Sequence, residues 1–344
     1  MRIGKITENV LKRSVWKQIH NGKYKNGAAG YTDCACFETL YNSSQESKNG
    51  MFEVLSSIHT VTANLIHCAK YAVVGACNNI IAGGGKTVQI QLSIILPKDA
   101  DESILRRIMR DAEDAALYYK ADIAGGHTEV SNNVTKPIVS ASAIGYKYEK
   151  AKALMQSKGR TSETYTNCDI ILTKWIALSG TAMLAEEKAR EISSKYPSFI
   201  KDAGISFGQM EYLSVEDEAL VALKNGAECI HDLSSAGVFA ALWEFGQMTG
   251  CGMKVDLKKI PIRQETVEIT DMFDINPYLL ASAGSLLIAA KDGERIVRAL
   301  TDEGIPATII GKLTKGNDRI ITNEDETRFL DLPQSDEILK ILAD

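Results

Sequence analysis

Ala124-Gly125-Gly126-His127-Thr128-Glu129-Val130 stands between a short apolar segment, Ala121 to Ala124, and a strand-like run from Pro137 to Tyr146. Two glycines after an apolar segment let the backbone approach a ligand, and three polar side chains follow at once. Two readings stand side by side: a loop that takes a phosphate or a metal, and a tight turn capped by Thr128. Upstream, Asp101 to Lys120 carries Ile104, Leu105, Ile108, Met109, Ala112, Ala115 and Ala116 at helical spacing, with acidic residues in the first turn where the helix dipole favours them. Val88 to Leu96 clusters β-branched residues as a strand does, and Thr62 to Ile81 is apolar and Ala-rich enough for a buried helix. Tyr31 to Leu40 and Met51 to Ser56 read as strands around the polar run 42–50. Working outward, the first part of the chain orders strand, strand, helix, strand, helix, strand, strand.

Further upstream, Thr7 or Glu8 to Ile19 reads as a helix with Val10, Leu11, Val15, Trp16 and Ile19 on one side, and His20 to Gly30 as a mobile loop. The polar stretch Glu149 to Asn167 separates a second set of elements, which puts the boundary near residue 155 and gives domains 1–155 and 156–344. In the second domain, strands are expected at 170–173, 229–230, 307–310 and 319–322. Helices are expected at 181–193, 215–224, 238–248, 293–303 and 335–342, with Gly304 capping the fourth. The alternation makes an α/β (α+β) fold of two domains, a mixed sheet with helices followed by an α/β sandwich. Strands 31–40, 51–56, 88–96 and 137–146 form an apolar sheet with too few helices to cover both faces. Either a second copy of the chain covers the free face, making a homodimer, or the second domain closes it.

Lysine plus arginine number 39 against 44 acidic residues, so the formal charge of −5 leaves no electrostatic footprint for nucleic acid or an anionic membrane. The longest apolar runs, 65–82 and 279–290, are broken by polar residues or too short to span a bilayer, and the N-terminus has no signal-like apolar run, so a cytoplasmic setting is expected. Seven cysteines without a CxxC pair are expected as reduced thiols. Cys34 and Cys36, with His59, His67, Cys68 and Cys77 following, make a soft-metal cluster conceivable. No zinc spacing is present, however, and buried cysteine packs as a small hydrophobe, so core packing is the expectation.

Gly83-Gly84-Gly85-Lys86-Thr87 resembles the end of a P-loop, but the first glycine is missing and a strand follows where a P-loop opens a helix. A helix-terminating turn fits better. His231-Asp232-Leu233-Ser234-Ser235-Ala236-Gly237 joins a strand to a helix, and its Asp and Ser either cap that helix or meet a ligand at its N-terminus.

Taken together, the run 124–130, Lys136-Pro137-Ile138-Val139, Thr173-Lys174-Trp175-Ile176 and Gly180-Thr181-Ala182-Met183-Leu184-Ala185 resemble the aminoimidazole ribonucleotide (AIR) synthase-related superfamily, the PurM-like fold. His231-Asp232, Gly250-Cys251-Gly252, Ile260-Pro261-Ile262-Arg263-Gln264-Glu265-Thr266 and Ser282-Ala283-Gly284-Ser285-Leu286-Leu287 continue the resemblance in order. It runs from Ile3-Gly4-Lys5 to about residue 322 and is nearest the HypE-like branch. The family implies two α/β domains, a homodimer formed by the first, and ATP held through Mg²⁺ by acidic residues in a cleft between the domains. It also implies ATP-dependent synthase, dehydratase or small-molecule kinase chemistry, and a maturation-protein partner for the HypE-like branch. By the resemblance, Asp33, Asp232 and His127 carry catalysis. Asn78, Asn79, Gly125, Gly126, His127, Thr128, Glu129 and Lys174 bind nucleotide, and Asp33, Asn79 and Asp232 make a weak metal site.

The weakness follows from charge. Mg²⁺ takes hard oxygen ligands, and several carboxylates normally offset the triphosphate around it. Here the family's acidic positions fall on Ser56-Ser57, Asn78-Asn79, His127 and Ser235, with Asp33 and Asp232 retained. The C-terminal Cys that accepts the carbamoyl group in HypE has no counterpart in Leu339-Lys340-Ile341-Leu342-Ala343-Asp344, so nitrile synthesis would need a thiol from another protein. A catalytically silent, nucleotide- or partner-binding relative is the alternative expectation.

Overall fold

The polar and apolar alternation of the first part builds β1 (Ala35–Tyr41), β2 (Gly50–Val61), α2 (Cys68–Ala82), β3 (Gly85–Pro97), α3 (Glu102–Tyr118), β4 (Asp122–Ser131) and β5 (Ile138–Lys147), after a short α1 (Glu8–Ser14). This computed structural model describes residues 8–15, 17, 33–41, 50–148, 151, 161–332 and 335–342. The sequence readings of Trp16, of residues 18–32, of the turn 42–49 and of most of the linker after 148 lie outside those residues. Two units divide the chain, residues 9–62 with 67–155, and residues 156–344 with 63–66 and 1–8.

In the N-terminal unit the strands pair in the order β1-β2-β5-β3-β4, antiparallel except for β3 with β4. α2 lies across β2, β5 and β3, and α3 packs on α2 and β4. α2 is mostly apolar because it is sandwiched: 13 residues from Cys68 to Ala82 are buried. Strand periodicity does the rest. Val139, Ala141 and Ala143 of β5 are buried on the helix side, while Ile138, Ser140, Ser142 and Ile144 on the other face are half-buried. That second face, which no described element of the unit covers, mixes Ile58, Ile95, Ile138 and Ile144 with Ser93, Thr60, Ser140 and Ser142. Thr60 and Ser140 bridge strands there through their hydroxyls at 2.7 Å. It is less apolar than the sequence alone suggests.

The C-terminal unit contains α4 (Ser162–Tyr165), β6 (Asp169–Thr173), α5 (Leu178–Glu187), α6 (Ala189–Lys195), α7 (Ser198–Ser206), α8 (Met210–Leu213), α9 (Glu216–Lys224) and β7 (Ala227–Asp232). Then come α10 (Gly237–Thr249), β8 (Gly252–Asp256), α11 (Gln264–Met272), β9 (Leu286–Ala290), α12 (Gly293–Asp302), β10 (Ala307–Thr314), β11 (Arg319–Asn323), β12 (Glu326–Phe329) and α13 (Leu339–Leu342). Its sheet runs β12-β11-β8-β10-β6-β9-β7, with β8 and β11 parallel and the other pairs antiparallel. β9 is buried along its whole length, so it carries Leu-Leu-Ile-Ala-Ala without alternation. The helix expected over 181–193 is two helices. The chain turns at Lys188 (φ −109°, ψ 25°), and the second piece buries Ile192.

Candidate functional site

β2 and α2 bring together two positions at which the resemblance expects carboxylates. Ser57 faces α2 from the strand, Asn79 faces β2 from the helix, and the Asn79 amide donates to Ser57 Oγ at 2.8 Å. One turn earlier, Gly75 leaves room for the His59 ring, since a Cβ there would lie 2.5 Å from it. One turn later, Gly83 gives the same clearance to Cys34 Sγ. A polar seam of Cys34, Ser57 and His59 thus runs beside α2, with half-buried Asp33 next to Cys34 at the start of β1. Asn78 does not share it. Its side chain is fully buried and accepts from the Tyr119 hydroxyl at 2.9 Å, so it ties α2 to the end of α3 and cannot contact a nucleotide. This corrects the expectation that both asparagines bind the cofactor: adjacent helix positions point about 100° apart, and only Asn79 reaches the seam.

The 125–129 run is a strand, not a loop or a tight turn. It is the middle of edge strand β4, parallel to β3, with a register shift where Ala124 is passed over. Gly126 sits so close to β3 that a Cβ would fall 1.9 Å from the Leu92 carbonyl oxygen, which accounts for that glycine without a ligand. Gly125 has open space around its Cα and a φ of 156°. Alternation puts His127 and Glu129 on one face and Thr128 on the other. His127 Nε2 and Glu129 Oε2 pair at 3.2 Å with both side chains exposed. Among the described residues the strand therefore presents an edge that pairs with no further strand, and an exposed imidazole–carboxylate pair.

In the C-terminal unit three segments meet at the ends of β6, β7 and β9. Ser282 Oγ accepts from the Ala177 N–H at 2.8 Å, Ser285 Oγ donates to the Trp175 carbonyl at 2.7 Å, and the Ser282 N–H donates to the Ser234 carbonyl at 3.0 Å. The turns on either side hold non-glycine residues in the left-handed region: Lys174 (φ 51°), Ala177 (61°) and Ala236 (63°). Such positions are strained for a residue with a Cβ and collect at functional turns. Asp232 lies at the end of β7, buried. His231 beside it is buried too, stacked on Phe245, with Nε2 3.4 Å from Glu244 Oε2.

Lys174 is not available to a nucleotide. Its ammonium is 2.6 Å from Glu218 Oε1 and donates to the carbonyls of Ser214 (2.7 Å) and Tyr212 (3.0 Å), with both charged side chains buried. Burial lowers the lysine's pKa and raises that of Glu218, and their contact opposes both shifts. The resemblance assigned this lysine to the nucleotide; its partner lies 44 residues away, and no local pattern announces it. Two more constellations escaped the sequence reading. Arg263 stacks over Trp175 and Phe207, at 5.0 and 5.6 Å, while Glu265 accepts from its guanidinium. His67, first considered with the cysteines, instead donates from Nδ1 to Asp111 at 2.9 Å. None of the seven cysteines is in a disulfide; six are buried and Cys36 is half-buried. Among the described residues no three His, Cys, Asp or Glu side chains converge to hold a metal. Asn79 and Ser57 bring no carboxylate charge to offset a metal–triphosphate complex.

Two family models match: AIR synthase related protein, N-terminal domain, over residues 31–146, and AIR synthase related protein, C-terminal domain, over 167–323. Carbamoyl dehydratase HypE of Rhodobacter capsulatus is 23% identical over 285 residues, covering 79% of this chain and 78% of its own. Among solved structures, the HypE–HypF complex superposes with a TM-score of 0.72 at 17% identity, over 94% of this chain and 99% of that one. The hydrogenase maturation protein HypE in complex with ATP gives 0.69 at 17% identity, over 87% and 90%. At these identities the superpositions establish the shared fold.

Proposed function

The chain belongs to the AIR synthase related family, and from that premise we propose that it binds ATP with little help from a divalent ion and turns it over slowly. The chemistry is that of an ATP-dependent synthase, dehydratase or small-molecule kinase. The observation that carries this is the 2.8 Å contact between Asn79 and Ser57. The two side chains meet where the resemblance expects metal-binding carboxylates, and their oxygens carry no charge to offset a metal–triphosphate complex. Asp33, Asn79 and the exposed side of β4 from Gly125 to Glu129, His127 and Thr128 included, are the nucleotide-contacting candidates of the N-terminal unit, and Asp232 that of the C-terminal unit. The shared fold with a HypE that holds ATP supports the nucleotide, and the fold shared with a HypE bound to HypF supports a maturation-protein partner.

Calorimetry with ATP, with and without Mg²⁺, tests the reading. Native protein is expected to bind ATP with affinities in the two conditions that differ by less than tenfold. Asn79→Asp with Ser57→Asp is expected to strengthen Mg²⁺-dependent binding about thirtyfold, from ~1 kcal/mol per restored charge in a partly wet site. Tight native Mg²⁺–ATP binding that the double variant does not improve refutes it. The same neutral pair favours a second reading, a relative that binds nucleotide or partner without turnover; ATP hydrolysis at or below the uncatalysed rate, with binding intact, selects it. The homodimer read from the sequence belongs to this proposal, through the uncovered face of the N-terminal sheet. So does a cytoplasmic setting; no described helix is long and apolar enough to cross a membrane.

A further inference from the structure

Trp175 stands in the turn that leaves β6, and three anchors fix it. The Lys174 ammonium, held by Glu218, donates to the carbonyls of Tyr212 and Ser214. The Ile176 N–H donates to the Pro261 carbonyl at 3.1 Å, and the Trp175 carbonyl accepts from Ser285 Oγ. The buried lysine therefore positions two aromatic residues at once, its neighbour Trp175 and Tyr212. Both pack on Leu178, Ala182 and Phe207, with Tyr212 edge-on to Phe207 at 5.5 Å, and Arg263 lies over the Trp175 and Phe207 rings. Trp175, Tyr212 and Arg263 are themselves half-buried above that floor. Left-handed Lys174 and Ala177 bracket Trp175, a strain that a purely structural turn sheds by using glycine. Ser285 also ties the patch to Asp232, because its carbonyl accepts from the N–H of Leu233, the residue that follows Asp232.

The patch offers aromatic planes and donors but no net charge. Glu265 accepts from Nε and Nη2 of Arg263 at 3.2 Å each, which leaves the Nη1 N–H groups pointing away from that carboxylate. Among the described residues the Trp175 indole N–H, the Tyr212 hydroxyl and those Nη1 groups meet no hydrogen-bond partner. The two cations, Lys174 and Arg263, are each matched by a carboxylate. An anion gains little from that balance and meets Glu265 beside it. A neutral ring with oxygen acceptors on its edge gains both stacking and hydrogen bonds. We propose that Trp175, Tyr212 and Arg263 form a recognition site for a neutral planar ring bearing carbonyl oxygens, the class of acceptor on which the proposed ATP-dependent chemistry acts beside Asp232. The role in that chemistry rests on the proposed function, whereas ring binding itself needs neither ATP nor turnover.

The test follows the indole N–H resonances of the full chain without nucleotide. There are three tryptophans, and Trp175→Phe identifies the Trp175 signal. Uracil and nicotinamide are expected to shift that signal saturably. Cyclohexanecarboxamide keeps an amide and loses the plane, and nicotinate keeps the plane and gains a charge; each is expected to bind at least about tenfold more weakly than nicotinamide. Arg263→Lys keeps the charge but not the planar fork and should weaken uracil binding about tenfold. Tyr212→Phe leaves the ring against Phe207 and should weaken uracil severalfold, which keeps the test open should the Lys variant fold poorly. No saturable Trp175 shift with either ring, cyclohexanecarboxamide or nicotinate bound within twofold of nicotinamide, or variants that bind uracil within twofold of the native chain overturns the proposal. Ring binding by a chain that takes up no ATP sinks the proposed function alone, and ATP binding with no Trp175 response to either ring sinks the ring site alone.

Discussion

Removing Lys174 should damage the fold and leave nucleotide affinity alone. Lys174→Met strips four partners at once: it strands a buried Glu218 carboxylate and leaves the Ser214, Tyr212 and Glu211 carbonyls without their donor. Breaking one side of a buried ion pair costs ~3–5 kcal/mol, and each buried carbonyl left unsatisfied adds ~1–3 kcal/mol. Glu218→Leu leaves a buried ammonium that still has three carbonyls, so its loss should be ~3–5 kcal/mol. The double variant removes both charges but not the orphaned carbonyls. It should stay ~2–4 kcal/mol below the native protein, less than the sum of the single losses, with a coupling of at least ~2 kcal/mol. Urea unfolding followed by tryptophan fluorescence reads this directly, because Trp175 is the next residue in the chain. ATP calorimetry on the folded single variant is the companion measurement. Lys174→Met within ~1 kcal/mol of native stability but tenfold weaker for ATP would refute the reasoning and return the lysine to the nucleotide.

Ala236→Gly relieves a left-handed alanine but removes a buried methyl and loosens the unfolded chain, so the terms of ~1–2, ~0.8 and ~0.7 kcal/mol nearly cancel. Ala182→Gly, equally buried inside α5, has no strain to relieve and should cost ~1–2 kcal/mol; thermal unfolding of both variants should separate them by more than 3 °C, and equal losses would remove the strain argument. Ile58 is 67% exposed on the uncovered face of the N-terminal sheet. Ile58→Asp should leave the subunit's melting temperature nearly unchanged and weaken a dimer about a hundredfold or more, since two copies each lose ~1.5–3 kcal/mol of burial; light scattering that finds the native chain monomeric at micromolar concentration refutes the dimer.

How much of this the sequence carried depends on whether a residue's partner was local. α12 was legible because Ile296 and Leu300 lie one turn apart on an otherwise charged helix, and α3 for the same reason. β2 extends to Val61, five residues past its sequence reading, because Ser57 and His59 face a helix while Ile58 and Thr60 face outward, inverting the polarity that marks a strand. The glycines at 125 and 126 suggested a loop, yet Gly126 is there because β3 runs too close for any side chain. Asn78 and Asn79 are neighbours in sequence, and only the packing tells which of the two meets Ser57. Glu218 pairs with Lys174 and Asp336 accepts from the Ala236 N–H, 44 and 100 positions away, and nothing in their own neighbourhoods distinguishes them from surface carboxylates.

β5 is the centre of the N-terminal sheet and the last of its strands to be synthesised. It pairs with both β2 and β3 and forms much of the floor on which α2 rests. Between the emergence of Ala82 and that of Ile138, a nascent chain carries a mostly apolar helix with nothing central to lie on. At 5–20 residues per second this interval lasts roughly 3 to 11 s. β1 and β2 can form a hairpin in that time, and α3 can shield one flank of α2, but the long-range pairing that unites the two halves of the sheet has to wait. The birth of this unit is therefore its most vulnerable moment: a ribosome stalled within β4 would display α2 to any chaperone or aggregate nearby, and release of the following twenty or so residues would conceal it.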